Sequence, residues 1–132
     1  MKYLLDTHVI LWALQDSPNL PRDIRDIITS DENTIYVSVA SLWEIAIKHS
    51  LGKIALDSKA ISNLIARSGY LLLSIGYESI NALSDIKIND DNRMTHDPFD
   101  KMLVAQSKVN NMKFLTHDHK MKYFDESCIH VF

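Results

Sequence analysis

The chain has 132 residues, 46% of them hydrophobic and 23% charged, and its formal net charge of −3 argues against a DNA-binding module with a broad basic face. This size and composition are typical of one globular domain, which we expect to span residues 1–132, and they exclude a disordered or collagen-like chain. The sequence has no apolar run of the ~18 residues that a membrane span needs and no secretory signal pattern, so we expect a cytoplasmic protein.

A short apolar strand is predicted at the start of the chain. Tyr3, Leu4 and Leu5 have the pattern of a buried strand in a parallel sheet, and Asp6 follows them directly. A carboxylate there loses hydration, and ligands of open α/β sheets bind beyond the carboxyl ends of the strands. Asp6 is therefore a candidate metal or phosphate site, although an Asp before the apolar helix predicted at 9–14 is also an ordinary N-cap.

Helices and strands continue to alternate after this helix. Pro21 suits the first turn of a helix that runs to about residue 29, and the β-branched segment 34–39 predicts a second strand. Glu44 lies at the start of the apolar helix that follows, near the end of that strand. Ser41 and Glu44 also have the spacing of a capping box, which is a purely structural explanation of Glu44.

The middle of the chain predicts a helix that begins at Asp57 and Ser58 and ends near Gly69. A strand is expected over 70–75 and a helix over 77–83, whereas residues 86–94 receive no assignment. The strongest helical pattern follows Asp97 and Asp100, with Pro98 in its first turn, and it ends near residue 110.

Two further strands complete the pattern, one over 112–116 that ends in His117-Asp118-His119 and one over 128–132. The lone Cys128 cannot form an internal disulfide, and its apolar neighbours predict a small core residue. Alternating strands and helices predict an α/β fold, a three-layer α/β/α sandwich with a central, mainly parallel sheet.

Four acidic residues share one feature, which is a position near the carboxyl ends of predicted parallel strands: Asp6, Glu44, Asp100 and Asp118. In such a fold these ends converge on one crevice. Two like charges ~4 Å apart cost about 4 kcal/mol at an effective dielectric of 20, so the cluster calls for a cation or protonation. Oxygen ligands of this kind favour Mg²⁺ or Mn²⁺, and the chemistry expected is metal-assisted hydrolysis of phosphodiesters.

At these motifs the chain resembles PIN-domain proteins, and most of all the VapC-type toxins of bacterial toxin–antitoxin pairs. The resemblance covers nearly the whole chain, and its most specific segment is Asp-Pro-Phe-Asp at 97–100. The other matching segments are Leu4-Leu5-Asp6-Thr7-His8, Ser41-Leu42-Trp43-Glu44-Ile45-Ala46-Ile47-Lys48 and Leu115-Thr116-His117-Asp118.

The resemblance implies a PIN fold in which Asp6, Glu44 and Asp100 are the main metal-binding acids and Asp118 is the fourth. It also implies a Mg²⁺- or Mn²⁺-dependent endoribonuclease that acts on RNA. Its implied partners are a second copy of the chain, as a homodimer, and an antitoxin whose tail enters the active-site groove.

Supporting residues are predicted around the four acids. Asp97 competes with Asp100 as a metal ligand, but Asp100 directly precedes the apolar helical run, so we interpret Asp97 as an N-cap that also orients the site. Thr7 and Thr116 are candidates for holding a metal-bound water, with local turn or cap bonding as the alternative. Lys101 is a candidate contact for a substrate phosphate, with a solvated lysine as the alternative.

The histidines and tryptophans have weaker interpretations. A zinc site formed by His96, His117 and His119 is disfavoured, because the triplet lacks helical spacing and alternate residues of an extended chain point to opposite faces. Trp12 and Trp43 could stack on RNA bases, but their apolar neighbours favour a core or a dimer interface.

Two other classes of function also fit an acid cluster at strand ends. One is a phosphoryl-transfer or phosphatase-like domain, but its motif needs a second Asp two residues after Asp6, where His8 stands. The other is a catalytically inactive PIN-fold interaction module, which the presence of all four acids disfavours.

Overall fold

The computed structural model describes residues 1–89 and 97–132, and strands and helices alternate through them. In chain order the elements are β1 (Lys2–Leu5), α1 (Thr7–Leu14), α2 (Arg22–Thr29), β2 (Thr34–Ser38), α3 (Val39–Ser50), α4 (Ser58–Ser68), β3 (Leu71–Leu73), α5 (Tyr77–Ala82), α6 (Pro98–Val109), β4 (Lys113–Thr116) and β5 (Ile129–Val131). Two 3₁₀ turns, Leu83–Asp85 and His119–Tyr123, follow α5 and β4.

The five described strands form one parallel sheet in the order β3-β2-β1-β4-β5. The first strand of the chain is therefore the central strand. In its register Leu4 pairs with Tyr36 of β2 and Phe114 of β4, and Leu5 pairs with Leu115. Asp6, Val39 and His117 directly follow β1, β2 and β4. Since these strands are parallel, the three residues lie at the same edge of the sheet.

Both faces of the sheet are covered, because neighbouring residues of a strand point to opposite sides. Leu5 and Leu115 face a core that they share with α1, α2, α3 and α4, whereas Leu4 and Phe114 face a second core built mainly with α6. Each of these four side chains is fully buried. The continuous apolar run before Asp6 is thus explained by burial on both faces.

The prediction of an α/β sandwich with a mainly parallel sheet is confirmed, and every described strand pairing between named strands is parallel. Local capping signals were also informative. Asp57 caps α4 by accepting a hydrogen bond from Ala60 N, and Gly69 ends that helix with φ of 78°, which favours glycine. None of the helices in 1–89 and 97–132 is long and apolar enough to cross a membrane.

The capping box that was the alternative explanation of Glu44 is not formed by Ser41 and Glu44. The second strand ends at Ser38, which is itself the N-cap of α3, and its side chain accepts a hydrogen bond from Ala40 N. Val39, predicted as strand, is the first residue of the helix. Ser41 and Glu44 therefore lie inside α3, where their side chains are available for other partners.

Two smaller differences concern Pro21 and the third strand. Pro21 is the N-cap residue of α2 rather than part of its first turn. The strand β3 is limited to three residues at the sheet edge, where Leu71 and Leu72 are about half exposed. His96 and most of the unassigned segment 86–94 lie outside the described residues.

Candidate functional site

Asp6 lies where the central strand β1 turns into α1, and only 6% of it is exposed. Its Oδ1 accepts a hydrogen bond of 2.7 Å from Thr7 N, and its Oδ2 accepts one of 2.6 Å from Thr116 Oγ1 at the end of β4. One oxygen therefore caps α1 while the other joins two neighbouring strand ends. The two interpretations of Asp6 are compatible, because the capping residue also borders the cleft described below.

Glu44 reaches the same edge of the sheet from the second turn of α3. Its Oε1 accepts a hydrogen bond of 2.6 Å from Thr7 Oγ1, which also lies 3.1 Å from Ser41 Oγ. Its Oε2 lies 3.1 Å from Nζ of Lys48, one helical turn further on. The Thr7 side chain thus connects the end of β1 to α3. Its hydroxyl bonds to these distant residues and does not make the local turn or cap bond that was the alternative prediction.

Asp97 and Asp100 belong to the start of α6. Asp97 is the exposed N-cap and accepts a hydrogen bond of 2.8 Å from Phe99 N, as predicted, while Asp100 lies in the first turn and is largely buried. Further along the helix, Gln106 Oε1 accepts a hydrogen bond of 2.5 Å from the buried Ser38 hydroxyl. This contact ties α6 to the end of β2 and thereby orients Asp100 towards the strand ends.

Asp118 follows β4 and borders the site from the other side. Its backbone N donates a 3.0 Å hydrogen bond to Thr116 Oγ1, and its Oδ1 accepts one of 3.0 Å from Lys120 N. Thr116 therefore makes both a local turn and the long-range contact with Asp6. The 3₁₀ turn that begins at His119 keeps the Asp118 carboxylate near the strand end.

These side chains border one cleft of about 120 Å³ at the carboxyl ends of the strands. All four predicted acids line it, together with four further residues, Thr7, His8, Lys48 and Asp97. Lys101 is partly buried in α6 and is not among the lining residues, so the structure does not bring this candidate phosphate contact to the cleft.

The electrostatic character of the cleft is most evident at Asp100. Burial, and to a smaller extent the neighbouring carboxylates of Asp6, Asp97, Asp118 and Glu44, together raise its pKa to about 8. Burial also raises the pKa of Asp6, an effect that the hydrogen bonds from Thr116 and Thr7 oppose. The cleft is thus an acidic site that favours a bound cation or a proton.

The donor set fits Mg²⁺ or Mn²⁺ better than zinc. The acidic groups that line the cleft offer carboxylate oxygens, and in 1–89 and 97–132 no group of three or more His, Cys, Asp or Glu side chains is arranged to hold a single ion. Mg²⁺ commonly takes one or two protein carboxylates and keeps several waters, whereas a structural zinc ion needs four closely placed ligands. This arrangement is compatible with the first kind of site.

The rings of His117 and His119 lie close together, contrary to the prediction from an extended chain. His117 and His119 do not point to opposite faces, because the extended chain ends at Thr116 and a 3₁₀ turn brings their ring centroids to 5.4 Å. A zinc site remains disfavoured, since no group of three or more His, Cys, Asp or Glu side chains in the part of the chain that the structure describes is arranged to hold an ion. His96, the third candidate ligand, lies outside the described residues.

The two tryptophans differ in their environment. Trp12 is partly buried and packs against the core beneath α1, as expected. Trp43 is 62% exposed and contacts only the edge of the Phe99 ring among described aromatic rings, with centroids 5.1 Å apart. A core position for Trp43 is therefore wrong, while a place in a dimer interface stays a prediction.

Sequence reasoning missed Lys48, Ser41 and the pair Ser38 and Gln106. Lys48 follows Glu44 by four residues, the spacing that makes neighbours on a helix, so this signal was present. The contact between Ser38 and Gln106 joins residues 68 positions apart, and no local pattern indicates it.

Gln106→Leu should lower the stability of the protein by about 1–3 kcal/mol, which corresponds to roughly 5–10 °C in melting temperature. The substitution keeps the buried volume but leaves the Ser38 hydroxyl without its acceptor and Ser74 O without the amide that donates to it. Thermal unfolding measures the loss. Ser62→Ala removes a partly buried hydrogen bond within α4 and is the matched control, expected to cost below about 0.5 kcal/mol. Equal melting of both variants would contradict this role of Gln106.

Known proteins resemble the chain over almost its full length. A family model described as PIN domain matches residues 3–127. No curated protein sequence matches the chain.

Several solved structures share the fold at low identity. The VapBC2 complex from Rickettsia felis, bound to a DNA fragment from its promoter, matches with a TM-score of 0.71 and 16% identity over 99% of this chain and 98% of that one. FitAB bound to a DNA fragment matches with a TM-score of 0.65 and 18% identity, covering 98% and 93% of the two chains. A toxin–antitoxin complex from Klebsiella pneumoniae matches with a TM-score of 0.59 and 14% identity, covering 98% and 96%.

Proposed function

The chain belongs to the PIN-domain family, and on that basis we propose that it is a metal-dependent endoribonuclease that hydrolyses RNA phosphodiester bonds. The observation that carries this proposal is the convergence of carboxylates from the end of β1, from α3, from the start of α6 and from the end of β4 on one cleft. An acidic cleft by itself repels an RNA phosphate, so binding of the substrate there requires a cation.

We assign the metal-binding role to Asp6, Glu44, Asp100 and Asp118, of which one or two would bind the ion directly and the others through its bound waters. Bound Mg²⁺ or Mn²⁺ makes water a better nucleophile and neutralises charge on the phosphate. The chain supplies position: Thr116 holds one oxygen of Asp6 and Thr7 holds one oxygen of Glu44, so neither carboxylate rotates freely. Asp97 caps α6 and keeps Asp100 at the cleft.

Lys48 has a separate role in this proposal. Its ammonium group pairs with Glu44 and lines the cleft, where it offsets part of the acidic charge when no metal is bound. With the acids compensated by a cation, this ammonium group would be available to contact a phosphate oxygen of the RNA. This assignment replaces the one considered for Lys101.

We further propose that the protein is the toxin of a toxin–antitoxin pair, with an antitoxin and a second copy of the chain as partners. The solved structures named above include toxin–antitoxin complexes of the same fold. An apolar groove of about 440 Å³ beside the site, lined in part by Trp43, Ile47 and Phe99, supports protein contact in this region. Large exposed apolar side chains next to a groove are typical of such surfaces.

Purified protein incubated with total cellular RNA should cut it internally when Mg²⁺ or Mn²⁺ is present and should stop when EDTA is added. Gel electrophoresis with mapped cleavage ends measures the reaction, and re-addition of the metal should restore it. Cleavage that persists in EDTA would contradict the metal-dependent mechanism. Hydrolysis of a small phosphomonoester without RNA cleavage would favour the phosphatase-like alternative, and RNA binding without cleavage would favour an inactive module.

A further inference from the structure

We propose that a row of four rings beside the acidic cleft stacks on a base of single-stranded RNA next to the scissile phosphate. This aromatic row consists of His8, Trp12, His117 and His119. The inference rests on the proposed ribonuclease function and names the form of RNA that the site takes.

The row begins at the cleft itself. His8 lines the cleft together with the acids, and Trp12 lies one turn further along α1. Their rings are nearly parallel, with an interplanar angle of 20° and centroids 6.5 Å apart. The two rings thus offer faces of similar orientation beside the cleft, on which a planar base can stack.

The row then continues onto the segment after β4. The ring of His117 meets the edge of Trp12 at 5.4 Å between centroids, and His119 lies 5.4 Å beyond it. Both histidines flank Asp118, so this end of the row also borders the site. His8, His117 and His119 are exposed to solvent, which makes them accessible to a ligand.

Two of the four rings, those of His117 and Trp12, are held in place by residues outside the row. Nδ1 of His117 donates to the carbonyl oxygen of Phe132, and the Phe132 ring supports it at 5.0 Å between centroids. Phe132 is fixed in turn by a hydrogen bond of 3.0 Å from its backbone N to Thr116 O. Trp12 packs against the core with one side. A rigid surface loses little side-chain entropy on binding, which favours affinity.

Charge and composition favour a nucleobase over a peptide as the ligand. The chain carries a net charge of −3, so phosphate contacts alone give weak binding, whereas stacking needs no charge. The apolar groove at Trp43 and Phe99 is the surface suited to an apolar peptide, since aliphatic and aromatic side chains line it. The aromatic row instead offers three imidazole rings, which combine flat faces with polar edges.

The chain has only two tryptophans, which allows a direct test of contact. In the Trp43→Phe variant Trp12 is the single tryptophan, and its fluorescence is read with Mg²⁺ present immediately after mixing, before cleavage proceeds. Addition of a short single-stranded RNA of mixed sequence should quench Trp12 fluorescence, and the same sequence as a duplex should not. Binding detected by anisotropy of a labelled RNA without quenching would overturn the proposal, as would quenching by the antitoxin and not by RNA.

Removal of single rings tests the energetic contribution. His8→Leu and His117→Leu should each weaken RNA binding about 10-fold and raise KM in proportion while kcat changes little, and Phe at either position should restore binding. Trp43→Leu, outside the row, is the matched control and should keep the wild-type affinity. Leu variants that bind as tightly as the wild type and still cleave RNA would overturn the row alone. A wild-type protein that cleaves no RNA would instead overturn the proposed function.

Discussion

Asp6→Asn should reduce RNA cleavage by at least about 10³-fold while the protein remains folded. The substitution removes the charge of the carboxylate at the end of the central strand. The amide that replaces it in the cleft is a poor ligand for a divalent cation. Initial rates with Mg²⁺ and equal amounts of RNA measure the effect, and a melting curve of the same sample shows whether the fold persists.

The stability of this variant is expected to stay within about 1 kcal/mol of the wild type. Asparagine retains one oxygen that accepts from Thr7 N, so α1 keeps its cap, but the hydrogen bond from Thr116 Oγ1 is lost or reversed. Against this loss stands the relief of a buried charge, because burial raises the pKa of Asp6. An unfolded Asp6→Asn protein would show that Asp6 is mainly structural.

Asp6→Asn also tests whether RNA cleavage by this protein stops bacterial growth. If the protein is a toxin, expression of the wild-type chain in bacteria should arrest growth, and Asp6→Asn at equal protein level should not. Asp57→Asn is the matched control, because it changes an exposed helix cap outside the cleft and keeps its capping ability. That control should be as toxic as the wild type. A harmless wild-type protein would contradict the toxin role.

The parallel sheet and the position of the acidic residues at its edge could be predicted from the sequence, because both depend on local pattern. The apolar run of β1 is buried on both faces of a parallel sheet, and such runs are readable without knowledge of the partners. Once β1 and β4 are known to be parallel, Asp6 and Asp118 must lie at one edge. The caps at Asp57 and Asp97 were likewise readable, since each side chain binds a backbone N two or three residues away.

The contacts that orient the acids were not readable, because they join distant residues. Thr7 bonds to Glu44 across 37 positions and Thr116 bonds to Asp6 across 110, and in both cases a short polar side chain has several local partners that a sequence pattern favours equally. The spacing of Ser41 and Glu44 likewise offered a local capping box as an alternative explanation of Glu44. The N-cap of α3 is Ser38, three residues before Ser41. The start of the helix depends on where β2 ends in the folded sheet.

The position of the aromatic rings illustrates a second limit. Alternation along an extended chain predicts opposite directions for His117 and His119, but the rule applies only while the strand continues. Here β4 ends at Thr116, and the 3₁₀ turn that follows brings the two histidine rings together. The exposure of Trp43 was similarly invisible, since an apolar helical stripe does not say which of its members the neighbouring helix covers.

Asp100 provides a prediction about pH, because its pKa of about 8 in the folded protein lies well above the ~4 of an unfolded chain. Between these two values the folded protein binds more protons than the unfolded chain. In the metal-free protein the contribution of Asp100 to stability is therefore greatest at low pH within this range, and it falls as pH rises from about 4 to about 8. A bound divalent cation should oppose this fall, since it compensates the ionised carboxylates.

In EDTA, Asp100→Asn should be more stable than the wild type at pH above about 8, by about 2 kcal/mol after allowance for solvent screening, and should differ little from it near pH 4. Melting curves across this pH range measure the difference, and Asp57→Asn, whose side chain caps α4 away from the cleft, should follow the wild-type profile. Added Mg²⁺ should raise the melting temperature of the wild type at high pH and have a smaller effect on Asp100→Asn. A flat wild-type profile in EDTA, or equal stabilisation of both proteins by Mg²⁺, would show that Asp100 is not the buried acid on which metal binding depends.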